Sequence, residues 1–355
     1  MSEDAHLRLD DVTKAFAGRT VLENIGLTLP AGELLTLLGP SGCGKTTALR
    51  IIAGFERPDT GQVRLHGRDI TRVSAHRRNM GVVFQAYSLF PHMTALQNIG
   101  YGLRLRGISK ARRLQRAGDL IDLMGLTEHA EKYPHQLSGG QKQRVALARS
   151  LATEPEVLLL DEPLSALDAQ VRVQLRGEIR RIQRESAVTT IMVTHDQEEA
   201  LTIADRVAVM HAGTIQQIGP PGELYRSPAN DFVSGFLGAV NRIRTTVHNG
   251  SVQLFGHTIP SRTHHAPGTT VWAHVRPEDI TLTPDPQGDG EVEAIILRGA
   301  TTSVEVRWPH LSQPVRIDIP TREAVHFDAG TTVTCTVEAP EVLTEPLAPL
   351  KEHTR

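Results

Sequence analysis

Three clusters of side chains in this sequence can do chemistry together. The first is Gly39-Pro40-Ser41-Gly42-Cys43-Gly44-Lys45-Thr46, followed by Thr47. Two glycines bracketing four residues and leading into Lys-Thr make the pattern of a phosphate-binding loop. Its glycines let the backbone curl so that several N–H groups point inward, and a helix start behind them adds a positive dipole end. Lys45 is expected to reach the β- and γ-phosphates of a nucleotide, and the Thr46 hydroxyl to bind Mg²⁺. The second cluster is the carboxylate pair Asp161-Glu162, and the third is His195. Successive residues of a strand point to opposite sides, so Asp161 and Glu162 take different parts, one toward a metal and one toward an attacking water. Pro163 biases Glu162 toward an extended backbone.

These residues need a sheet to bring them together. Leu34-Leu35-Thr36-Leu37-Leu38 is an apolar run of buried-strand length before the loop, and Thr47 to Ala53 is a helix stopped by Gly54. Val157 to Leu160 is a second buried strand, which delivers Asp161 and Glu162 at its carboxyl end. A helix with Val171, Leu175, Ile179 and Ile182 on one face follows, then the strand Thr189 to Val193, ending at Thr194-His195. That step is one β-α-β unit. Its right-handed crossover places both strand ends at one edge of the sheet, the edge where open α/β sheets bind ligands.

Around this core the pattern changes. His6 to Leu9, Val21 to Leu29 and Gln62 to Leu65 are short β patterns, expected to form an antiparallel layer that includes Phe16, an aromatic able to stack on an adenine ring or to serve the core. Val82-Val83-Phe84 is a strand ending at Gln85. Residues 88–155 turn helical. Thr94-x-x-Gln97 is a capping box, and Leu114, Ala117, Ile121 and Met124 recur at helical spacing before Gly125. Ser138-Gly139-Gly140-Gln141 is a second capping box, whose glycines leave a helix start bare to a close-approaching phosphate. Arg172, Arg176, Arg180, Arg181 and Arg184 form a basic stripe, read as a solvated face.

Beyond Gly238 helical periodicity stops. Arg242 to Val247, Val252 to Phe255, Val271 to Val275, Thr302 to Trp308 and Val315 to Ile319 alternate as short strands, with Asn249-Gly250 as a hairpin turn, and they predict a small all-β barrel. We expect residues 1–235 to be one domain, with a helical subdomain over about 88–155, and 236–355 a second. The tail from Leu343 is expected to fray. His257, His264, His265 and His310 lack metal-ligand spacing.

Composition adds exclusions. The chain has 355 residues and a net charge of −2, which gives no global argument for nucleic acid or an anionic membrane surface. Its two cysteines, one inside the phosphate loop, argue against a disulfide framework and for a reducing compartment. No signal-peptide pattern and no apolar run long enough to span a bilayer is read.

Together these residues resemble the ATP-binding subunit of an ABC transporter. Gly39 to Thr46 matches the family's Walker A motif, Gln85 its Q-loop, Leu137 to Gln141 its signature motif, Val157 to Pro163 its Walker B motif with the following Glu, Ser165-Ala166-Leu167-Asp168 its D-loop and His195 its switch histidine. Phe16 falls where the family places its adenine-stacking aromatic. Phe236-Leu237-Gly238, Asn241 and Val275 to Ile280 look like the barrel-shaped, TOBE-like extension of importer ATPases. The absence of a Ser-Pro-x-Met-Asn pattern makes this chain look closer to the branch importing polyamines, ferric iron or organophosphonates than to the sugar branch.

The resemblance implies an α/β phosphate-loop NTPase cassette with a parallel core sheet, an antiparallel β layer and a helical subdomain, followed by an OB-like barrel. It implies a homodimer that sandwiches ATP head to tail, Ser138 and Gly140 of one copy facing the γ-phosphate held by Lys45 of the other. Glu162 would be the general base and His195 would hold phosphate and water in line. Asp161, Thr46 and Gln85 would arrange Mg²⁺. Two membrane permease subunits, contacted near Tyr87, Leu89, Phe90 and Met93, and indirectly a solute-binding protein, are the implied partners, at the cytoplasmic face of the inner membrane and without nucleic acid. Alternatives are a soluble ABC ATPase working on nucleic acid or the ribosome, a sugar or anion importer ATPase and a phosphate-loop GTPase. The barrel could in addition be a regulatory ligand-binding module.

Overall fold

The computed structural model describes residues 5–165 and 167–347. Two compact units result, Met1–Leu224 and Tyr225–Arg355.

The first unit opens with β1 (Ala5–Phe16) and β2 (Arg19–Pro30), then β3 (Leu34–Leu38), α1 (Lys45–Ala53), β4 (Thr60–Leu65), β5 (Arg68–Asp69) and β6 (Met80–Val83). Next come α2 (Ala95–Leu105), α3 (Lys110–Leu123), α4 (Gly139–Ala152), β7 (Val157–Asp161), α5 (Ala169–Ser186), β8 (Thr189–Thr194), α6 (Gln197–Ile203), β9 (Arg206–His211) and β10 (Thr214–Gly219). A six-stranded sheet has the order β10-β9-β3-β8-β7-β6, parallel except at β10, which pairs antiparallel with β9. A four-stranded antiparallel sheet, β2-β1-β4-β5, covers one of its faces.

The central strands are apolar at nearly every position because both faces are covered. Alternation divides their side chains between two cores. Leu35 and Leu37 of β3, Val157 and Leu159 of β7, and Ile191 and Val193 of β8 pack with α1 and the antiparallel sheet. Leu34, Leu158, Leu160 and Met192 face the other way, onto the helices that follow β6 and β7. Both expected capping boxes form, Thr94 with Gln97 and Ser138 with Gln141. Of the face expected on α3, Ala117, Ile121 and Met124 are buried, whereas Leu114 lies outside it, 46% exposed. The basic stripe of α5 is tied down by ion pairs: Arg172 to Asp196, Arg176 to Glu198, Arg180 to Asp205 and Arg181 to Glu185. The solvated-face reading holds least for Arg176, which is buried.

The second unit starts within α7 (Pro221–Arg226) and continues with α8 (Asp231–Phe236), β11 (Asn241–His248), β12 (Ser251–Leu254), β13 (His257–Pro260), β14 (Thr270–Val275) and β15 (Ile280–Pro284). β16 (Gly290–Leu297), β17 (Thr301–Arg307), β18 (Val315–Pro320), β19 (Thr332–Val337) and β20 (Leu343–Pro346) follow. Two five-stranded antiparallel sheets, β13-β12-β11-β14-β20 and β15-β19-β16-β17-β18, enclose one core around Trp308. Asn249 and Gly250 form the expected hairpin turn, both at positive φ.

Two expectations change here. The division falls before 235/236, because α8 is bonded into this unit: the Asp231 N–H donates to Glu345 Oε1 at 2.6 Å, and Ser234 Oγ lies 3.3 Å from His274 Nδ1. The tail does not fray at Leu343. Leu343–Pro346 pairs with β14, which satisfies its backbone, and Leu343 and Thr344 are buried. Residues 348–355 of that tail lie outside the described residues.

Candidate functional site: a phosphate cradle and two carboxylates

The loop 39–44 joins β3 to α1. Position 39 admits no side chain, since a Cβ there would lie 2.2 Å from the Met210 carbonyl oxygen of β9. Gly44, at φ 103, turns the chain into α1 without a side-chain cap, so the first-turn N–H groups of Lys45, Thr46 and Thr47 lack intrahelical acceptors. Ser41, Gly42 and Thr46 are exposed, Pro40 and Thr47 half-buried, and Cys43 is buried beneath the loop. Lys45 is buried. Its ammonium donates to the carbonyls of Gly39 at 2.7 Å and Pro40 at 2.9 Å, and Nζ lies 3.8 Å from Cys43 Sγ. A concave loop with a folded-back ammonium and free N–H groups is a cradle for polyphosphate.

Opposite the loop, the Thr46 hydroxyl donates to Asp161 Oδ1 at 3.1 Å. Burial pushes the Asp161 carboxyl up; the Thr46 hydrogen bond opposes this and the neighbouring Glu162 charge adds to it. Glu162 turns elsewhere. Its Oε2 accepts from Gln85 Nε2 at 3.2 Å and its Oε1 lies 3.4 Å from His195 Nδ1. The two carboxylates thus take different partners, but not by strand alternation. Glu162 is left-handed at φ 45 rather than extended. Its N–H donates to the Val193 carbonyl of β8 at 3.1 Å, and its carbonyl accepts from the Ser165 N–H at 3.3 Å and the Ser165 hydroxyl at 3.0 Å. Such bonds hold a conformation that costs about 1–3 kcal/mol and override the bias from Pro163.

Ser165 was not among the candidate site residues. It also accepts from Gln85 Nε2 at 3.3 Å. Its signal lies in its spacing, three residues after Glu162, at which a Ser hydroxyl bonds a backbone carbonyl.

Phe16, at the end of β1, is 44% exposed, and Lys14 Nζ stands 5.0 Å from its ring centroid. At the start of α4, exposed Ser138 caps through Oγ, accepting the Gln141 N–H at 3.3 Å, and Gln141 Nε2 lies 2.7 Å from His129 Nε2. Gly139 and Gly140 have a reason within their own chain: a Cβ would meet Leu167 Cδ2 at 2.9 Å or Val171 Cγ1 at 3.2 Å. Among the described residues no hydrogen bond or ion pair links Ser138–Gln141 to the phosphate loop, whereas Lys45, Thr46, Asp161, Glu162, Gln85 and His195 form one continuous group.

In the second unit Asp231, His274 and Glu345 bring their ligand atoms within 4.8 Å of one another. They form an ion-pair and capping network: Arg242 donates to Asp231 Oδ1 at 2.5 Å, and Glu345 takes the Asp231 N–H.

Residues 22–165 match the ABC transporter family and residues 273–343 the TOBE domain family. The sulfate/thiosulfate import ATP-binding protein CysA 2 of Chromobacterium violaceum is 49% identical over 85% of this chain and 84% of its own length. The Fe(3+) ions import ATP-binding protein FbpC of Escherichia coli O157:H7 is 45% identical over 79% and 81%. The spermidine/putrescine import ATP-binding protein PotA of Acidothermus cellulolyticus is 43% identical over 86% and 84%. Among solved structures, a dimeric ATP-binding cassette in a post-hydrolysis state bound to ADP and Pi is 32% identical, with a TM-score of 0.55 over 61% of this chain and 98% of its own. The cbiO1 cassette of Clostridium perfringens, part of the ABC transporter complex cbiONQ, is 29% identical, with a TM-score of 0.59 over 62% and 90%.

The chain belongs to the ATP-binding subunits of ABC importers, with a TOBE domain after the cassette. It binds and hydrolyses ATP to power solute import. Subunits of this class work as dimers with membrane permease components and are membrane-associated. Among the described residues no helix is long and apolar enough to cross a membrane.

Proposed function

We propose that hydrolysis takes place at the group joining the phosphate loop, Asp161, Glu162 and His195. The observation that carries this is the split of two adjacent carboxylates: Asp161 toward Thr46, Glu162 toward Gln85 and His195. Lys45 and the N–H groups of Gly42, Cys43, Gly44, Lys45, Thr46 and Thr47 hold the phosphates. Phe16 stacks on the adenine. The oxygens of Thr46, Asp161 and Gln85 are hard donors of the kind Mg²⁺ takes, and the raised Asp161 carboxyl is one that a cation would relieve. The bound ion supplies charge neutralisation at the phosphates. Glu162 takes the proton of the attacking water, and His195, 3.4 Å from it, keeps that water and the terminal phosphate in line.

Ser138, Gly139, Gly140 and Gln141 have no phosphate in their own chain's group. In a head-to-tail dimer they would close over the phosphate of the other copy. Half-buried Tyr87, Leu89, Phe90 and Met93 are our candidate permease contacts, on the cytoplasmic side of the membrane. Tyr87 and Leu89 also pack on the helical core, and Phe90 lies 4.4 Å from the Tyr101 ring. The named relatives import sulfate or thiosulfate, ferric iron, or spermidine and putrescine, so we propose a small ion of that range as the solute.

Lys45→Ala tests the site. Nucleotide affinity and turnover should fall together, measured by fluorescent-nucleotide titration and phosphate release. Wild-type turnover in that variant would place hydrolysis elsewhere.

A further inference from the structure

Behind His195 lies a charged group that the site has not yet used. Arg172, in the first turns of α5, has a side chain 29% exposed. Its Nη1 donates to Asp196 Oδ2 at 3.1 Å and its Nη2 to the Leu167 carbonyl at 3.1 Å, while Nε lies 3.8 Å from Glu199 Oε1. The other Asp196 oxygen accepts the Glu199 N–H at 3.0 Å and caps α6. The buried Thr194 hydroxyl accepts the Asp196 N–H at 3.0 Å and donates to Glu199 Oε2 at 2.6 Å. The backbone on both sides of His195 is therefore fixed from within, while its imidazole stays 54% exposed. Leu167 belongs to the loop after β7, in which Ser165 holds the Glu162 carbonyl, and its side chain lies against Gly139. One guanidinium ties the loop bearing His195 to the loop that begins at Glu162.

We propose that Arg172 is a positioning residue for hydrolysis, its two-pronged bridge between the Leu167 carbonyl and the Asp196 carboxylate setting His195 against Glu162. The inference rests on the roles given above to His195 and Glu162. Arg172 itself touches no reacting atom. The bridge needs a planar fork, because the point charge of a lysine cannot serve both acceptors from the same stem. Arg176, one turn along α5, is the internal control: it pairs with Glu198 at 3.0 Å, is 7% exposed, and has no tie to Leu167 or Asp196.

The test is steady-state ATP hydrolysis by the full chain with Arg172→Lys, Asp196→Asn, their double variant, Arg176→Lys and His195→Ala. A displaced catalytic loop lowers kcat by about 10- to 100-fold. Arg172→Lys and Asp196→Asn should each do this with KM for Mg-ATP within about twofold, the signature of a loss felt only in the transition state. The double variant should be no slower than the slower single one, and Arg176→Lys should match wild type. Asparagine caps a helix as well as aspartate does, so Asp196→Asn carries the test if Arg172→Lys does not fold. Wild-type kcat in both single variants beside an inactive His195→Ala would overturn the inference and leave the site reading intact. Wild-type turnover in His195→Ala would overturn that reading and the inference with it. A raised KM at unchanged kcat would make Arg172 a binding group and also overturn it.

Discussion

In the cassette, His195 Nδ1 lies 3.4 Å from Glu162 Oε1; in the second unit, His274 Nε2 lies 3.6 Å from Asp231 Oδ1. The two histidine–carboxylate pairs have similar spacing and opposite surroundings. His195 is 54% exposed, and Glu162 is itself left-handed and held so by its neighbours. His274 is 3% exposed at its side chain and touches Ser234 through its other nitrogen, while Asp231 is neutralised by Arg242. Burial is the largest cause pushing His274 down to about 4, with Asp231 opposing the shift and Arg242 and Arg276 reinforcing it. Proximity of imidazole to carboxylate is therefore a poor marker of chemistry. What separates the pairs is capacity left unspent: in the function we propose the first takes a water and a phosphate, whereas the second has its charges already answered.

The largest effect that would break this comparison is at Glu162. Glu162→Gln keeps shape and hydrogen bonding but removes the proposed base, so kcat should fall by about 10²–10⁴-fold while Mg-ATP still binds. Uncleaved ATP should then hold two copies together, visible as a shift to dimer in size-exclusion chromatography with Mg-ATP. Turnover near wild type would show that Glu162 is not the base. A dead variant that stays monomeric would count against closure driven by ATP.

This contrast also explains what could be read from the sequence. The phosphate loop, the strand before it and the strand delivering Asp161 are local patterns, and the right-handed crossover rule alone brings His195 to their edge. The Glu162 turn was not legible, because Pro163 points the wrong way locally and the opposing bonds come from Val193 on another strand and from Ser165. The second cluster was less legible still. Asp231 and Glu345 are 114 residues apart and meet only because β20 pairs with β14. Strands β13, β15, β16, β19 and β20 were likewise missed, although Thr332–Val337 of β19 alternates threonines with buried Val333, Cys335 and Val337. In β16, Ile295, Ile296 and Leu297 are consecutive apolar residues, and all three are exposed.

The next effect concerns pH. His274 has a folded pKa of about 4, below the value near 6.5 expected when unfolded. Between those values the unfolded chain binds more protons, so stability falls as pH drops from about 6.5 toward 4. Complete, the loss is about 3 kcal/mol, confined to the second unit. Both tryptophans, Trp272 and Trp308, lie in that unit, so their fluorescence during urea unfolding reports on it. The midpoint should drop between pH 7 and pH 4.5 in the wild type and stay flatter in His274→Gln. Equal pH slopes would mean that His274 does not carry the charge-burial cost.

The smallest effect tests whether the second cluster is truly answered. Asp231 and Arg242 are 38% and 50% exposed at their side chains, so their ion pair is worth about 0–1 kcal/mol. Arg242→Met should therefore shift the unfolding midpoint little and leave ATP turnover unchanged. The same change removes the cation that faces Asp231, leaving two carboxylates and a neutral imidazole with ligand atoms within 4.8 Å. One nitrogen and two carboxylate oxygens suit a borderline divalent ion such as Zn²⁺. If the guanidinium stands where a metal would otherwise be favoured, Zn²⁺ should raise the tryptophan-detected midpoint of Arg242→Met, and not of wild type, by the mass-action increment of a ligand that binds the folded state. Stabilisation of the wild type by Zn²⁺ would show the cluster to be open, and the contrast with Glu162 and His195 would then fail on its second member.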